Sequence, residues 1–359
     1  MKKEYWQIGV GGLIIGAIAV ALMKLGNPPN MGFCIACFER DIAGALGLHR
    51  AALVQYIRPE IIGLFFGAML SALAFKEFKP SAGSAPALRF FMGIFSMIGA
   101  LVFLGCPLRM TIRLGGGDLN ALVGLVGFLA GIYVGTLFLK RNFDLGPSKP
   151  TAGIEGWVLA VIMLVLLILL ITKPVFNLEA GGPVFFSKEG PGSKYAPWAI
   201  ALVLSLLVGF IVQRTRFCTV GGFRDLFLFG ETYLFIGWIA VLVAVFVGDL
   251  ALGMFKLGFE GQPIAHTLHL WNALGLFLVG LNGVLLGGCP LRQITLAAQG
   301  NGDSAVFVLG MIVGAGIAHN FMLAASPDRG VSTFGQVAVI LGIIFALIVG
   351  FTGILSKEA

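Results

Sequence analysis

Ten apolar runs, each close to bilayer-spanning length, constrain this chain more than any other feature. They lie near residues 6–23, 57–75, 88–105, 119–139, 154–172, 197–213, 232–254, 271–288, 304–325 and 333–355. A hydrocarbon core needs about 20 consecutive apolar residues in a helix. Composition agrees: 11% of residues are charged and mean hydropathy is +0.97, whereas a soluble domain carries roughly 25% charge. The expected fold is an all-α polytopic membrane protein with about nine to ten transmembrane helices. The first run follows Lys2 and Lys3, as a signal peptide would. It is nevertheless long enough to span and has a counterpart at Trp198–Ile211, so it reads as a mature helix. The net charge of +7 sits mostly between apolar runs, where cytoplasmic loops collect Lys and Arg; no nucleic-acid role is expected.

Four stretches, 31–48, 106–117, 216–230 and 289–301, are too short to span yet too apolar and too rich in Gly and Cys for ordinary loops. Re-entrant half-helices are expected there, because irregular backbone survives at membrane depth only when buried in protein or lining a cavity. The run 157–172 is uniformly apolar and reads as lipid-facing. Runs 91–105 and 275–288 are dense in small residues and read as packed interior helices. The polar, Gly/Pro-rich segment 177–195 is the expected linker between a first membrane repeat, 1–176, and a second, 196–359.

The two halves share motifs in order. FCIACFERD (33–41) aligns without gaps on FCTVGGFRD (217–225), GCPLR (105–109) on GCPLR (288–292), and GGGD (115–118) on GNGD (300–303). A repeat with five spanning helices is odd-numbered, so the second copy enters from the opposite side. That is an inverted repeat, which places sites near the midplane where the copies meet. The Lys/Arg distribution favours an inside N-terminus only slightly.

All five cysteines, Cys34, Cys37, Cys106, Cys218 and Cys289, fall in the repeated short segments. A lone buried Cys is usually a small hydrophobe, but four symmetry-related cysteines at broken-helix positions are not explained that way. In Gly-Cys-Pro, Gly105 or Gly288 breaks the incoming helix, Cys106 or Cys289 caps, and Pro107 or Pro290 opens a new half-helix. Free N–H groups and the positive dipole end beside the sulfur would attract an anion, and the thiol could donate a weak S–H bond to it. A small, soft anion containing sulfur or selenium fits that chemistry. The bland reading is a Pro-kinked helix with an inert thiol, and the second copy weighs against it.

Arg109 and Arg292 follow the cysteines by about one helical turn. Intramembrane charge is costly and generally paired or functional, so each is expected to fasten its half-helix through Asp118 or Asp303, with anion steering as a by-product. Arg40–Asp41 and Arg224–Asp225 are expected to fasten the other half-helices. Cys37 has no mate, because Gly221 occupies the equivalent place. With Cys34 it forms a CxxC, which raises redox chemistry or half a metal site. The scattered His49, His266, His269 and His319 match no ligand spacing, so no metal and no cofactor is expected, and the HTLH at 266–269 reads as an interfacial loop.

Two FC…RD segments and two GCPLR segments resemble the YeeE/YedE sulfur-transport family of bacterial inner-membrane proteins, across essentially the whole chain. The resemblance implies an hourglass-shaped helical transporter with cysteines at its waist, relaying thiosulfate through hydrogen bonds to sulfur. On that pattern Cys106 and Cys289 are the paired waist cysteines, Cys34 the entrance cysteine and Cys218 its symmetry mate. Pro directly after Cys in both copies is closer to the YedE branch, associated with a selenium compound. A cytoplasmic sulfur- or selenium-carrier protein is the implied partner besides the lipid bilayer. The alternative is a membrane thiol–disulfide oxidoreductase using Cys34–Cys37; a bare assembly scaffold has no support beyond helix count. GGGD and GNGD are not followed by the Lys-Ser/Thr of a phosphate loop, so no nucleotide-driven step is expected.

Overall fold

The computed structural model describes residues 3–174 and 182–358. Its regular structure is almost entirely helical, apart from the two-residue pairing of Ser81–Ala82 with Lys149–Pro150. In the first half α1 (Lys3–Lys24) is followed by short α2 (Ile35–Ala45), α3 (Pro59–Ala74), α4 (Pro86–Phe103), short α5 (Pro107–Gly115), α6 (Leu119–Lys140) and α7 (Val158–Thr172). The second half runs in the same order: α8 (Trp198–Thr215), short α9 (Thr219–Phe229), α10 (Tyr233–Ala251), α11 (His269–Leu285), short α12 (Pro290–Ala298), α13 (Gly302–Asn320) and α14 (Thr333–Glu358). Among the described residues, nine helical segments are long and apolar enough to cross a membrane. The tenth expected run, 57–75, forms the 16-residue α3, shorter than the others. The four stretches expected as half-helices contain α2, α5, α9 and α12, of 11, 9, 11 and 9 residues.

Helices of one half pack on helices of the other: α3 on α8, α1 on α10, α4 on α13 and α6 on α11. In lipid no water-driven force pulls helices together, so small residues that let backbones touch supply the association. At the α3–α8 crossing a Cβ on Gly67 would lie 1.9 Å from the Leu206 carbonyl oxygen, and one on Gly209 would lie 2.0 Å from that of Leu64. Nothing larger than Gly fits either place. Gly63 faces Leu202 as Gly67 faces Leu206, so α3 and α8 run parallel. The corresponding helices α4 and α11 run antiparallel instead. Gly99 meets Gly275 near one end of their contact, and the Asn282 amide donates to the Met92 carbonyl at 3.3 Å near the other.

Residues 177–181 of the expected linker 177–195, and with them the boundary after residue 176, lie outside the described residues. The remainder docks firmly rather than running free. Phe185 N donates to Ala45 O, Ser187 N to Gln55 O and Gly192 N to Leu53 O. This segment therefore covers the loop between α2 and α3.

Candidate functional site

Each short helix begins at a cysteine. Cys34, Cys106, Cys218 and Cys289 are the N-caps of α2, α5, α9 and α12, all in extended backbone. Pro107 and Pro290 occupy the first turns, where a missing N–H costs nothing. The caps put sulfur against otherwise orphaned amides. Cys34 Sγ accepts from Cys37 N, and Cys106 Sγ accepts from Ile35 N, both at 3.3 Å. In the second half Cys218 Sγ accepts from Gly221 N and Cys289 N, again at 3.3 Å, and its S–H points to Cys289 Sγ at 3.6 Å. All five cysteines are free thiols, and none is more than 4% exposed.

The thiols thus meet as Cys34 with Cys106 and Cys218 with Cys289, the two cap cysteines of each half. The reading from sequence set Cys106 against Cys289; among the described residues no hydrogen bond joins that pair. The halves do approach one another here, since α5 touches α9 and α12 touches α2.

The helix break differs in detail from the expectation that Gly105 and Gly288 make the turn. The left-handed residue is the preceding one, Leu104 (φ 62°) in one copy and Gly287 (φ 81°) in the other. Gly105 and Gly288 supply space: a Cβ there would lie 2.9 Å from Arg109 Cδ or Arg292 Cγ. Helical side chains lean toward the N-terminus, so each arginine folds back over its glycine.

That lean overturns the expected Arg109–Asp118 and Arg292–Asp303 pairs. Arg109, fully buried, donates to the carbonyls of Leu104, Asn30 (2.9 Å) and Ile264 (3.2 Å), and its Nη1 lies 3.5 Å from Cys37 Sγ. Asp118, at the far end of α5, caps α6 through Asn120 N and takes Arg113 Nε at 2.7 Å. Arg292 donates to Thr295 Oγ1, while Asp303 accepts from Gly83 N, Ser84 N and Ser148 Oγ. The Arg40–Asp41 and Arg224–Asp225 pairs do form, at 2.7 and 2.8 Å.

Two arginines escaped the sequence reading. Arg58, fully buried, bridges Asp41 at 2.7 Å and donates to Pro191 O and Lys194 O, fastening the docked linker. Arg113 holds Asp118. Its signal was a cation in the last turn of α5, where it complements the helix dipole. Neither lies in a repeated motif. HTLH does form a loop at the start of α11, but His266 is buried with Nε2 2.7 Å from Val102 O. Burial holds its pKa below the ordinary histidine value.

A cleft of about 500 Å³ lies beside the carbonyl partners of Arg109. Arg40, His319 and Arg329 line it together with Leu104 and Ile264, whose carbonyls hold Arg109. Among the described residues Arg109 pairs with no carboxylate. A buried guanidinium, positive helix ends and several thiols together offer an anion both charge and sulfur-directed hydrogen bonds.

One family and three individual proteins show likeness to this chain. The family described as sulphur transport matches residues 214–356. The thiosulfate transporter TsuA of Escherichia coli is 33% identical over 100 residues, which are 28% of this chain and 28% of that protein. TsuA of Spirochaeta thermophila is 34% identical over 91 residues, 24% of this chain and 26% of that protein. The matches therefore span about a quarter of the transporters' own length. An uncharacterized protein of Methanocaldococcus jannaschii is 34% identical over 98 residues, 24% of this chain and 93% of that protein.

Proposed function

Since the chain belongs to the sulphur-transport family, we propose that it carries a small sulfur-containing anion of the thiosulfate type across a bacterial inner membrane. The observation that carries this reading is the capping of four half-helices by four buried cysteines, with Arg109 against the fifth, Cys37, in the first half. Thiosulfate presents anionic oxygens to helix ends and guanidinium and a polarizable sulfur to thiols. The anion passes from Cys34 and Cys106 to Cys289 and Cys218, exchanging S–H hydrogen bonds without a covalent step. A selenium analogue of the same shape and charge is the competing cargo, delivered to a carrier protein on the cytoplasmic side.

An inverted repeat, with membrane units 1–176 and 196–359, is part of the proposal. Its support is the matching order of helices and the antiparallel crossing of the corresponding helices α4 and α11.

The test is uptake of labelled thiosulfate by liposomes containing the purified protein. Cys106→Ala and Cys289→Ala are each expected to lower the initial rate by at least tenfold at normal protein level. Unlabelled selenosulfate competing better than thiosulfate would assign the selenium cargo. Full uptake in both variants would sink the relay. Loss confined to Cys34→Ala and Cys37→Ala would favour the thiol–disulfide alternative.

A further inference from the structure

Asp249, at the end of α10, is 1% exposed, and among the described residues neither carboxylate oxygen has a hydrogen-bond partner. It faces other acceptors. A Cβ built on Gly116, the C-cap of α5, would find Asn30 Oδ1 at 2.6 Å, Asp249 Oδ2 at 3.0 Å and the Ile112 carbonyl oxygen at 3.5 Å. The three nearest atoms around that empty methyl position are all oxygens.

The orientation of Asn30 is fixed by its neighbour. Gln262 spends its amide on Lys256 O and Gly258 O, at 2.7 and 3.0 Å, so its Oε1 must face Asn30. Asn30 therefore turns Nδ2 to Gln262 and leaves Oδ1 at the Gly116 position that Asp249 Oδ2 also borders. An ionised carboxylate buried against these lone pairs would carry the full cost of desolvation with no compensating donor. One proton removes the conflict, because a carboxylic acid donates as well as accepts.

Charged groups on the surrounding elements are engaged elsewhere. On α5, Arg113 is taken by Asp118 and Arg109 by carbonyls and Cys37. On α9, Arg224 pairs with Asp225, and on the loop after α10, Lys256 donates to Gly261 O and His266 contacts Val102 O. Glu260 is exposed on that loop, and Glu4 and Lys24 are exposed at the two ends of α1.

The same Asn30 reaches the thiols. Its side-chain oxygen borders the Gly116 position beside Asp249, while its main-chain carbonyl accepts Arg109 Nε at 2.9 Å, and Arg109 Nη1 lies 3.5 Å from Cys37 Sγ. We propose that Asp249 is a proton-binding site linked through Asn30 to Arg109, so that anion movement past the first thiol pair is proton-coupled. The coupling rests on the transport reading above; proton binding by Asp249 does not.

Two measurements separate these. Infrared difference spectra between acidic and alkaline protein should contain a protonated-carboxyl band that Asp249→Asn removes and that Glu39→Gln and Glu60→Gln leave in place. A spectrum unchanged by Asp249→Asn would overturn the proton site. In the liposome uptake assay with labelled external thiosulfate, an inward-directed acid gradient should raise initial uptake several-fold over uptake without a gradient. That ratio should fall to one in Asp249→Asn, whose amide keeps a donor among the acceptors but binds no proton, and in Gly116→Ala, whose methyl fills the cradle. A ratio unchanged in both variants would overturn the coupling. No thiosulfate uptake by wild type under either condition would defeat the transport reading and the coupling with it, while the infrared result would still decide Asp249.

Discussion

Individual charges show how a short helix is tied down inside a membrane protein. Asp118 and Arg113 are both fully buried, and removing one partner strands the other without solvent. Arg113→Met is expected to destabilise the protein by about 3–5 kcal/mol, read as the unfolding midpoint in detergent. The double variant Arg113→Met/Asp118→Asn should recover part of that loss. A single variant as stable as wild type would show that the pair is not structural. Arg113 was hard to see in the sequence because it lies outside the repeated words; Arg109 was conspicuous because GCPLR occurs twice. The repetition drew attention to Arg109 and assigned it the wrong partner. Side-chain direction along a helix, rather than charge and spacing, decides which arginine meets Asp118.

Elements obey the backbone. Gly67 and Gly209 bring α3 and α8 into carbonyl contact, so Gly67→Leu must drive the helices apart. Overpacking typically costs about 1–3 kcal/mol, and this variant is expected at or beyond the upper end, measured as lost thermal stability and monodispersity. The loop before α11 carries a pH dependence of known sign. His266 is held neutral by burial, with Nε2 on the Val102 carbonyl and Nδ1 accepting from Leu268 N. Its folded pKa lies below its unfolded value of 6.5, so the unfolded chain takes up the proton first as pH falls. Stability complete above the unfolded value is therefore lost as pH drops through the folded one. Burial and the nearby Arg40 charge lower His49 in the same direction. The unfolding midpoint should fall between about pH 7 and about pH 5, and His266→Gln should flatten that fall without abolishing it. An identical slope in His266→Gln would remove this histidine from the account.

At the scale of the whole molecule, the proposed inversion makes a prediction about sides. The loops after α3 and α10 occupy corresponding places in the two halves. In a cysteine-free background, Lys79→Cys and Leu257→Cys, both at exposed positions, should react with an impermeant maleimide from opposite faces of the membrane. Labelling from the same face would rule out the inverted arrangement.

The sequence by itself determined the helical membrane class, the approximate bounds of the long helices, the four short helices, and Cys106 and Cys289 as the starts of two of them. Each follows from local physics: hydropathy sets length, and Gly-Cys-Pro sets a cap; that Cys34 and Cys218 cap the other two emerged only in the structure. Only the tertiary structure decided that Cys34 meets Cys106 and Cys218 meets Cys289, that Arg58 and Arg113 bind the carboxylates, and that Asp249 is buried against acceptors. Those outcomes depend on which helix faces which at backbone contact. Close packing between segments distant in the chain fixes that, and neither composition nor spacing encodes it locally.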